Sequence, residues 1–161
     1  MIYYAEPSIG YNEIKAVNRI LKSKTLTQGN ETLKFEKNFS KITKSKYSVS
    51  FNSCTSALIA ACSSLDISSN DEVWTTPNTF VASANSALLN GARIQFVDID
   101  AKTFNMSVDL LEEKLKKTKK NSLPKAIISV HFAGLINDQK KIWDLSKKYK
   151  FKIIEDCCHA L

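Results

Sequence analysis

Residues 152–159, with the sequence KIIEDCCH, carry the clearest signal of the fold. Ile153 and Ile154 are typical of a strand that is buried on both faces, as in a parallel sheet. Glu155 and Asp156 then lie at the carboxyl end of that strand, where ligands bind in open α/β sheets. A carboxylate there can hold a protonated ring nitrogen, and a histidine three residues later can hydrogen-bond a ring substituent. The stretch predicts one half of a ligand site.

Upstream of this stretch, strand-like and helix-like segments alternate. The predicted strands cover residues 47–51, 71–76, 94–97 and 126–130, followed by the stretch above. The predicted helices cover residues 57–65, 79–89 and 137–149. A further predicted helix is capped by Ser107 and turns Leu110, Leu111 and Leu115 toward the core. This alternation predicts βαβ units, a mostly parallel sheet and flanking helices, hence an α/β fold.

Two amphipathic helices precede the sheet segments. The first covers residues 12–22, and Thr32 is the expected cap of the second. The predicted organisation is a helical segment over residues 1–45 and a sheet domain over residues 46–161.

Composition excludes several classes of protein. The chain has 161 residues, of which 43% are apolar, and no apolar run is long enough to span a bilayer. The first seven residues do not have the pattern of a signal peptide, so a cytoplasmic location with no membrane partner is expected. The formal charge is +7, but the lysines alternate with core positions along helices, which favours solvated helix faces over nucleic-acid binding. The four cysteines form no C-x-x-C pair, so reduced thiols are expected rather than disulfides or a zinc ribbon.

Residues 52–58, NSCTSAL, follow the first predicted strand and open a helix. Small and hydroxyl residues at a helix N-terminus offer backbone N–H groups and a positive dipole end, which suit a phosphate. The same residues also suit a helix cap that binds no ligand. The segment lacks the glycines of a P-loop or a Rossmann fingerprint, so neither motif applies.

Eight segments taken together resemble the N-terminal part of the DegT/DnrJ/EryC1/StrS family, PLP-dependent sugar aminotransferases of the aspartate-aminotransferase fold (fold type I). They are residues 26–29 (LTQG), 52–58, 71–73 (DEV), 79–85 (TFVASAN), 91–92 (GA), 96–100 (FVDID), 130–134 (VHFAG) and 155–160 (EDCCHA). Residues 26–29 and the His-Ala ending look most like the aminotransferase of the pseudaminic acid pathway. The resemblance implies transfer of an amino group, from glutamate, to C4 of a UDP-linked 4-keto-6-deoxy sugar in cell-surface glycan biosynthesis.

The resemblance also implies a cofactor, pyridoxal 5'-phosphate, and the residues that hold it. Cys54 and Thr55 would bind its phosphate, Phe80 would stack on its ring, Asp156 would pair with the pyridinium nitrogen, and His159 would lie near the ring oxygen. This chemistry needs a carboxylate because the ring withdraws electrons only while its nitrogen is protonated. Three simpler roles stay open: a core position for Phe80, a turn cap for Asp156 and a buried, hydrogen-bonded role for His159.

Other chemistries have weaker support. A metal site of His131, Cys157, Cys158 and His159 is disfavoured, because adjacent cysteines at a strand end do not easily reach one ion. No orienting motif surrounds Ser53 or Cys54 that would mark a nucleophile.

By resemblance, the lysine that binds the cofactor covalently lies downstream of the Glu-Asp motif, and this sequence has no lysine after Lys152. We therefore expect an N-terminal fragment without the C-terminal small domain, inactive alone, from a family of homodimers that use a nucleotide sugar and an amino-acid donor. In the family's sheet the strand at residues 48–52 lies apart from the other four. The phosphate loop and Asp156 are thus not expected to be correctly juxtaposed in this chain alone. Two alternatives are a non-catalytic remnant that pairs with a full-length paralogue and a basic α/β nucleotide-binding module.

Overall fold

The structure, a computed structural model, describes residues 6–27 and 29–160. Residues 1–5, Leu161, and Gln28 of the LTQG motif lie outside the described residues. Two units are distinguished, the first ending at Ser50 and the second beginning at Phe51. None of the helices in the described part of the chain is long and apolar enough to span a lipid bilayer.

The first unit contains two helices, α1 (Tyr11–Leu21) and α2 (Asn30–Thr43), and no residue of either helix is buried. The backbone N–H of Gly10 donates to the Glu13 carboxylate at 2.8 Å, which satisfies one free donor at the start of α1. Thr32 is not the cap of the second helix, because α2 begins two residues earlier and Gly29 is its N-cap.

The predicted strand at residues 47–51 is wrong, since these residues form no strand in the structure. The Ser50 N–H, which would join a sheet ladder, instead donates to Glu36 Oε1 at 2.8 Å, and the Ser50 hydroxyl donates to the same oxygen. A strand needs a neighbour to pair its backbone groups, and the four strands in the described residues pair only with one another.

The second unit is built on a parallel sheet, which confirms the predicted α/β fold. Its strands are β1 (Glu72–Thr75), β2 (Arg93–Phe96), β3 (Ala126–Val130) and β4 (Lys152–Asp156), in the order β2-β1-β3-β4. Val130 is in register with Asp156, so β3 and β4 end at the same edge of the sheet. Polar groups that follow these two strands are thereby brought together.

Helices cover both faces of the sheet. They are α3 (Cys54–Ser64), α4 (Ala82–Leu89), α5 (Val108–Lys117) and α6 (Gln139–Tyr149). Apolar side chains of α3 and α4 pack with Val73 and Ile128 on one face, and those of α5 and α6 pack with Trp74 and Ile127 on the other. Adjacent strand residues point to opposite faces, so a strand buried on both sides is apolar throughout.

Side-chain oxygens cap the N-termini of α5 and α6, and the first of these caps was predicted from the sequence. The Ser107 side chain accepts a hydrogen bond from the Leu110 N–H and caps α5, as predicted. Leu111 and Leu115 are buried as expected, but Leu110 is 41% exposed, so its predicted inward orientation is wrong. Asp138 caps α6 by accepting from the Lys141 N–H, which starts that helix two residues after the predicted position.

Candidate active site

Asp156 ends β4 and is the most buried acidic side chain in the described residues, with 5% exposure. The Ser83 hydroxyl donates to its Oδ2 at 2.6 Å, the Cys158 N–H donates to Oδ1 at 3.3 Å, and the Cys54 thiol lies 3.9 Å from Oδ1. Burial raises the pKa of Asp156, but hydrogen bonds from Ser83, Cys158 and Cys54 outweigh burial and lower the pKa below its usual value. Asp156 is therefore an ionised carboxylate inside the fold, and it also caps the following turn.

Ser83, on α4, is a hydrogen-bond partner of Asp156 that sequence reasoning missed. It is fully buried, and the Thr79 hydroxyl lies 2.7 Å from its Oγ. Because Ser83 donates its one proton to Asp156, Thr79 must donate to Ser83. The sequence marked this position only as a small residue suited to close packing, and Thr79 lies in the bend that precedes α4 rather than on the helix.

A cavity of about 70 Å³ brings three of the predicted site residues together. It is lined by Thr79, Phe80, Val130, His131, Phe132, Asp156, Cys158 and His159. Phe80 is 74% exposed, so it is not a core residue. His159 is also exposed rather than buried. Phe80, His159 and the carboxylate of Asp156 thus surround one space.

The phosphate-loop candidates lie beside this cavity. Ser53 caps α3 by accepting from the Ser56 N–H at 3.1 Å, and Cys54 and Thr55 form the first turn of the helix. The positive dipole end of α3 therefore faces a region that contains Asp156. The simpler prediction, a helix cap, is confirmed by the Ser53 contact, and a phosphate role for Cys54 and Thr55 stays a prediction.

This loop and Asp156 lie side by side, although the sequence predicts that they are not correctly juxtaposed in this chain. Cys54 and Asp156 are 102 residues apart in sequence, yet their side chains lie 3.9 Å apart. The cause is hydrophobic docking: Leu58 and Cys62 of α3 are buried in the same cluster as Ala87 of α4 and Ile154 of β4. Burial of a helix stripe does not require the preceding strand to be paired.

His131 lies at the end of β3 and is 3% exposed. Its Nε2 lies 3.1 Å from Glu155 Oε2, and its Nδ1 accepts the Asn137 N–H at 3.3 Å. An unprotonated Nδ1 places the proton of the neutral ring on Nε2, where it is donated to Glu155. The side chain is therefore fixed beside the cavity by Glu155 of β4 and by the backbone N–H of Asn137.

Gly134 supports the backbone of His159. It has φ +85°, and a Cβ added there would lie 2.8 Å from the His159 carbonyl oxygen. Both the backbone conformation and the close approach require glycine. The turn that includes residues 131–134 is therefore packed directly against the segment that follows β4.

The four-residue metal set considered from the sequence does not form in the described residues. Instead, ligand atoms within 4.8 Å of one another belong to two sets, Cys54 with Asp156 and Cys158, and His131 with Glu155 and Cys157. Adjacent positions alternate between faces at a strand end, which separates the two neighbouring thiols.

A family model described as the DegT/DnrJ/EryC1/StrS aminotransferase family matches residues 7–161. A Campylobacter jejuni relative, UDP-4-amino-4,6-dideoxy-N-acetyl-beta-L-altrosamine transaminase, is 36% identical over 161 residues, which is 100% of this chain and 42% of the relative. The chain thus spans about two fifths of the length of that relative.

Two solved structures have the same fold over this region. Helicobacter pylori PseC, an aminotransferase involved in the biosynthesis of pseudoaminic acid, has a TM-score of 0.88 and 34% identity, over 99% of this chain and 42% of PseC. A Streptococcus pneumoniae protein solved in its PLP form has a TM-score of 0.89 and 31% identity, over 99% of this chain and 43% of that protein. The family match over residues 7–161, supported by these relatives, confirms the resemblance: the chain belongs to the DegT/DnrJ/EryC1/StrS aminotransferase family.

Proposed function

We propose that this chain is the N-terminal portion of a PLP-dependent sugar aminotransferase. Its substrates in the proposal are a UDP-linked 4-keto-6-deoxy sugar, aminated at C4, and glutamate as the amino donor, in glycan biosynthesis. The relatives named above support the sugar class, and a homodimer is part of the proposal.

One observation carries the proposal: a buried, ionised carboxylate, Asp156, lies at the carboxyl end of a parallel strand and shares a cavity with Phe80 and His159. These residues fit the cofactor, because a ring with a protonated nitrogen needs an anionic partner and an apolar face. When bound, PLP supplies an electron sink for carbon–nitrogen chemistry.

The roles of the chain's own residues follow from their positions. Asp156 would hold the proton on the ring nitrogen, and Ser83 would keep the carboxylate ionised and oriented. Phe80 would cover one ring face and exclude water from it. Cys54 and Thr55 would bind the phosphate through the N–H groups and hydroxyl at the start of α3, and His159 would orient the ring oxygen.

The test completes the chain with the C-terminal remainder of the Campylobacter jejuni relative. The chimera is assayed for 2-oxoglutarate released from glutamate in the presence of the keto sugar. Asp156→Asn should lower turnover at least about a hundredfold, the scale of losing one key electrostatic group. It should also change the visible absorbance of bound PLP, since the ring nitrogen loses its proton.

Glu155→Gln is the matched control, because it removes a neighbouring carboxylate that is 49% exposed and lies with His131 and Cys157 rather than with Asp156. It should leave turnover within about twofold of the parent chimera. Equal turnover of Asp156→Asn and the parent would show that Asp156 does not hold the cofactor. A chimera that folds and loads PLP but aminates no keto sugar would overturn the substrate assignment.

A further inference from the structure

The cavity edge contains a group of three metal-ligand atoms, two of which belong to residues that the proposed function assigns to the cofactor. Cys54 Sγ, an Asp156 carboxylate oxygen and Cys158 Sγ all lie within 4.8 Å of one another. They come from the first residue of α3, the last residue of β4 and the turn that follows it. Two sulfurs on one tetrahedral Zn²⁺ stand about 3.8 Å apart, so these atoms need to move by about 1 Å at most.

The second set, His131 with Glu155 and Cys157, is a poorer candidate. His131 Nδ1 accepts the backbone N–H of Asn137, so the proton of the neutral ring is on Nε2. A metal-ligating histidine normally has the opposite arrangement, with the ligating nitrogen bare and the other N–H donated to an acceptor. Binding at Nε2 would leave the Asn137 N–H without its partner.

In the first set, a hydrogen bond from a residue outside the set orients the Asp156 carboxylate. The Ser83 hydroxyl donates to Asp156 Oδ2 and leaves Oδ1 turned toward the thiol of Cys54 and the backbone of Cys158. A carboxylate oriented by a hydrogen bond is a better ligand than a free one. Two sulfurs and one oxygen form a donor set that suits zinc and related thiophilic cations.

We propose that Cys54, Asp156 and Cys158 bind one thiophilic divalent cation such as Zn²⁺, with an open fourth position for water. Binding converts both thiols to thiolates and releases their two protons to solvent. Because Asp156 is also the proposed partner of the ring nitrogen, the cation and PLP exclude each other. This exclusion rests on the proposed function, whereas the metal site itself does not.

The experiment titrates the cofactor-free 161-residue chain, kept reduced with a phosphine, with Zn²⁺ by calorimetry and with Cd²⁺ by its thiolate charge-transfer absorbance. The parent should bind one ion with the absorbance of two thiolates. Cys54→Ser and Cys158→Ser should each halve that absorbance and weaken binding at least about tenfold, since losing only an outer-shell partner of a ligand already costs about tenfold or more. Asp156→Asn should weaken binding similarly while keeping both thiolate bands.

Cys157→Ser is the matched control, because it removes the adjacent thiol, which belongs to the other set. It should bind within about twofold of the parent, since no ligand is lost. Equal losses of cation affinity in Cys157→Ser and Cys158→Ser would overturn the proposed site. So would a parent chain that does not bind the cation one to one. In a second arm PLP is added to the zinc-loaded chimera described above. One-to-one zinc binding that PLP does not weaken would refute the placement of PLP on Asp156 and leave the metal site intact.

Discussion

Replacing Ser83 with alanine removes the shortest hydrogen bond to Asp156, at 2.6 Å between two side chains that are 0% and 5% exposed. A hydrogen bond to a charged group contributes about 1.5–3 kcal/mol. The contacts that remain, an N–H at 3.3 Å and a thiol at 3.9 Å, are longer and cannot replace it. We therefore expect Ser83→Ala to lower the free energy of unfolding by about 2 kcal/mol at neutral pH.

Removing this hydrogen bond should also change the pKa of Asp156. The hydrogen bond stabilises the ionised form of the carboxyl group, so its removal raises the pKa of Asp156. A carboxyl group with a lowered folded-state pKa contributes stability above the unfolded-state pKa, and that stability is lost as the pH falls. The difference between Ser83→Ala and the parent should therefore be largest at pH 7 and shrink below about pH 3.9.

Urea denaturation between neutral and acidic pH measures the first effect, and NMR titration of the ¹³C-labelled Asp156 carboxyl group measures the second. Ser86→Ala is the control, because Ser86 is equally buried on the same helix but donates to the backbone carbonyl of Ser83 at 3.2 Å. It should destabilise the fold by about 1 kcal/mol without moving the pKa of Asp156. Identical pH dependence for both variants would refute the assignment of Ser83 as the group that keeps Asp156 ionised.

Three further predictions test the surroundings of the site. Gly134→Ala should destabilise the fold by at least about 1 kcal/mol through its positive φ and shift the amide resonances around His159; Gly91→Ala, at a similar φ of +88°, should leave those resonances in place. Ser53→Ala should lower the free energy of unfolding by about 1 kcal/mol in urea denaturation, since α3 loses its cap; an unchanged midpoint would contradict the cap. Burial raises the pKa of Cys157 to about 11, so its iodoacetamide alkylation should accelerate about tenfold per pH unit between pH 7 and pH 10; a plateau near pH 8.5 would contradict this.

The strands and helices of the second unit could be predicted because their signals are local. Residues 126–130 form a strand at the predicted bounds, and Ser107 caps its helix as the sequence indicates. Local signals could not show whether residues 47–51 form a strand, because apolar and β-branched residues predict only the capacity to form one. Whether a ladder forms depends on a neighbouring strand, and Ser50 bonds to Glu36 instead.

The sequence by itself determined the order of strands and helices in the second unit, the family motifs and the carboxylate at the end of β4, since periodicity and short motifs depend on neighbours along the chain. Only the tertiary structure decided that Ser83 donates to Asp156 and that Cys54 reaches the same carboxylate across 102 residues of sequence. It also decided that Cys157 and Cys158 join different sets of side chains. The physical reason is that hydrophobic burial of α3 and α4 is non-directional. The positions of the polar residues at the start of α3 and on α4 therefore depend on how the whole core packs. No local sequence pattern predicts that packing.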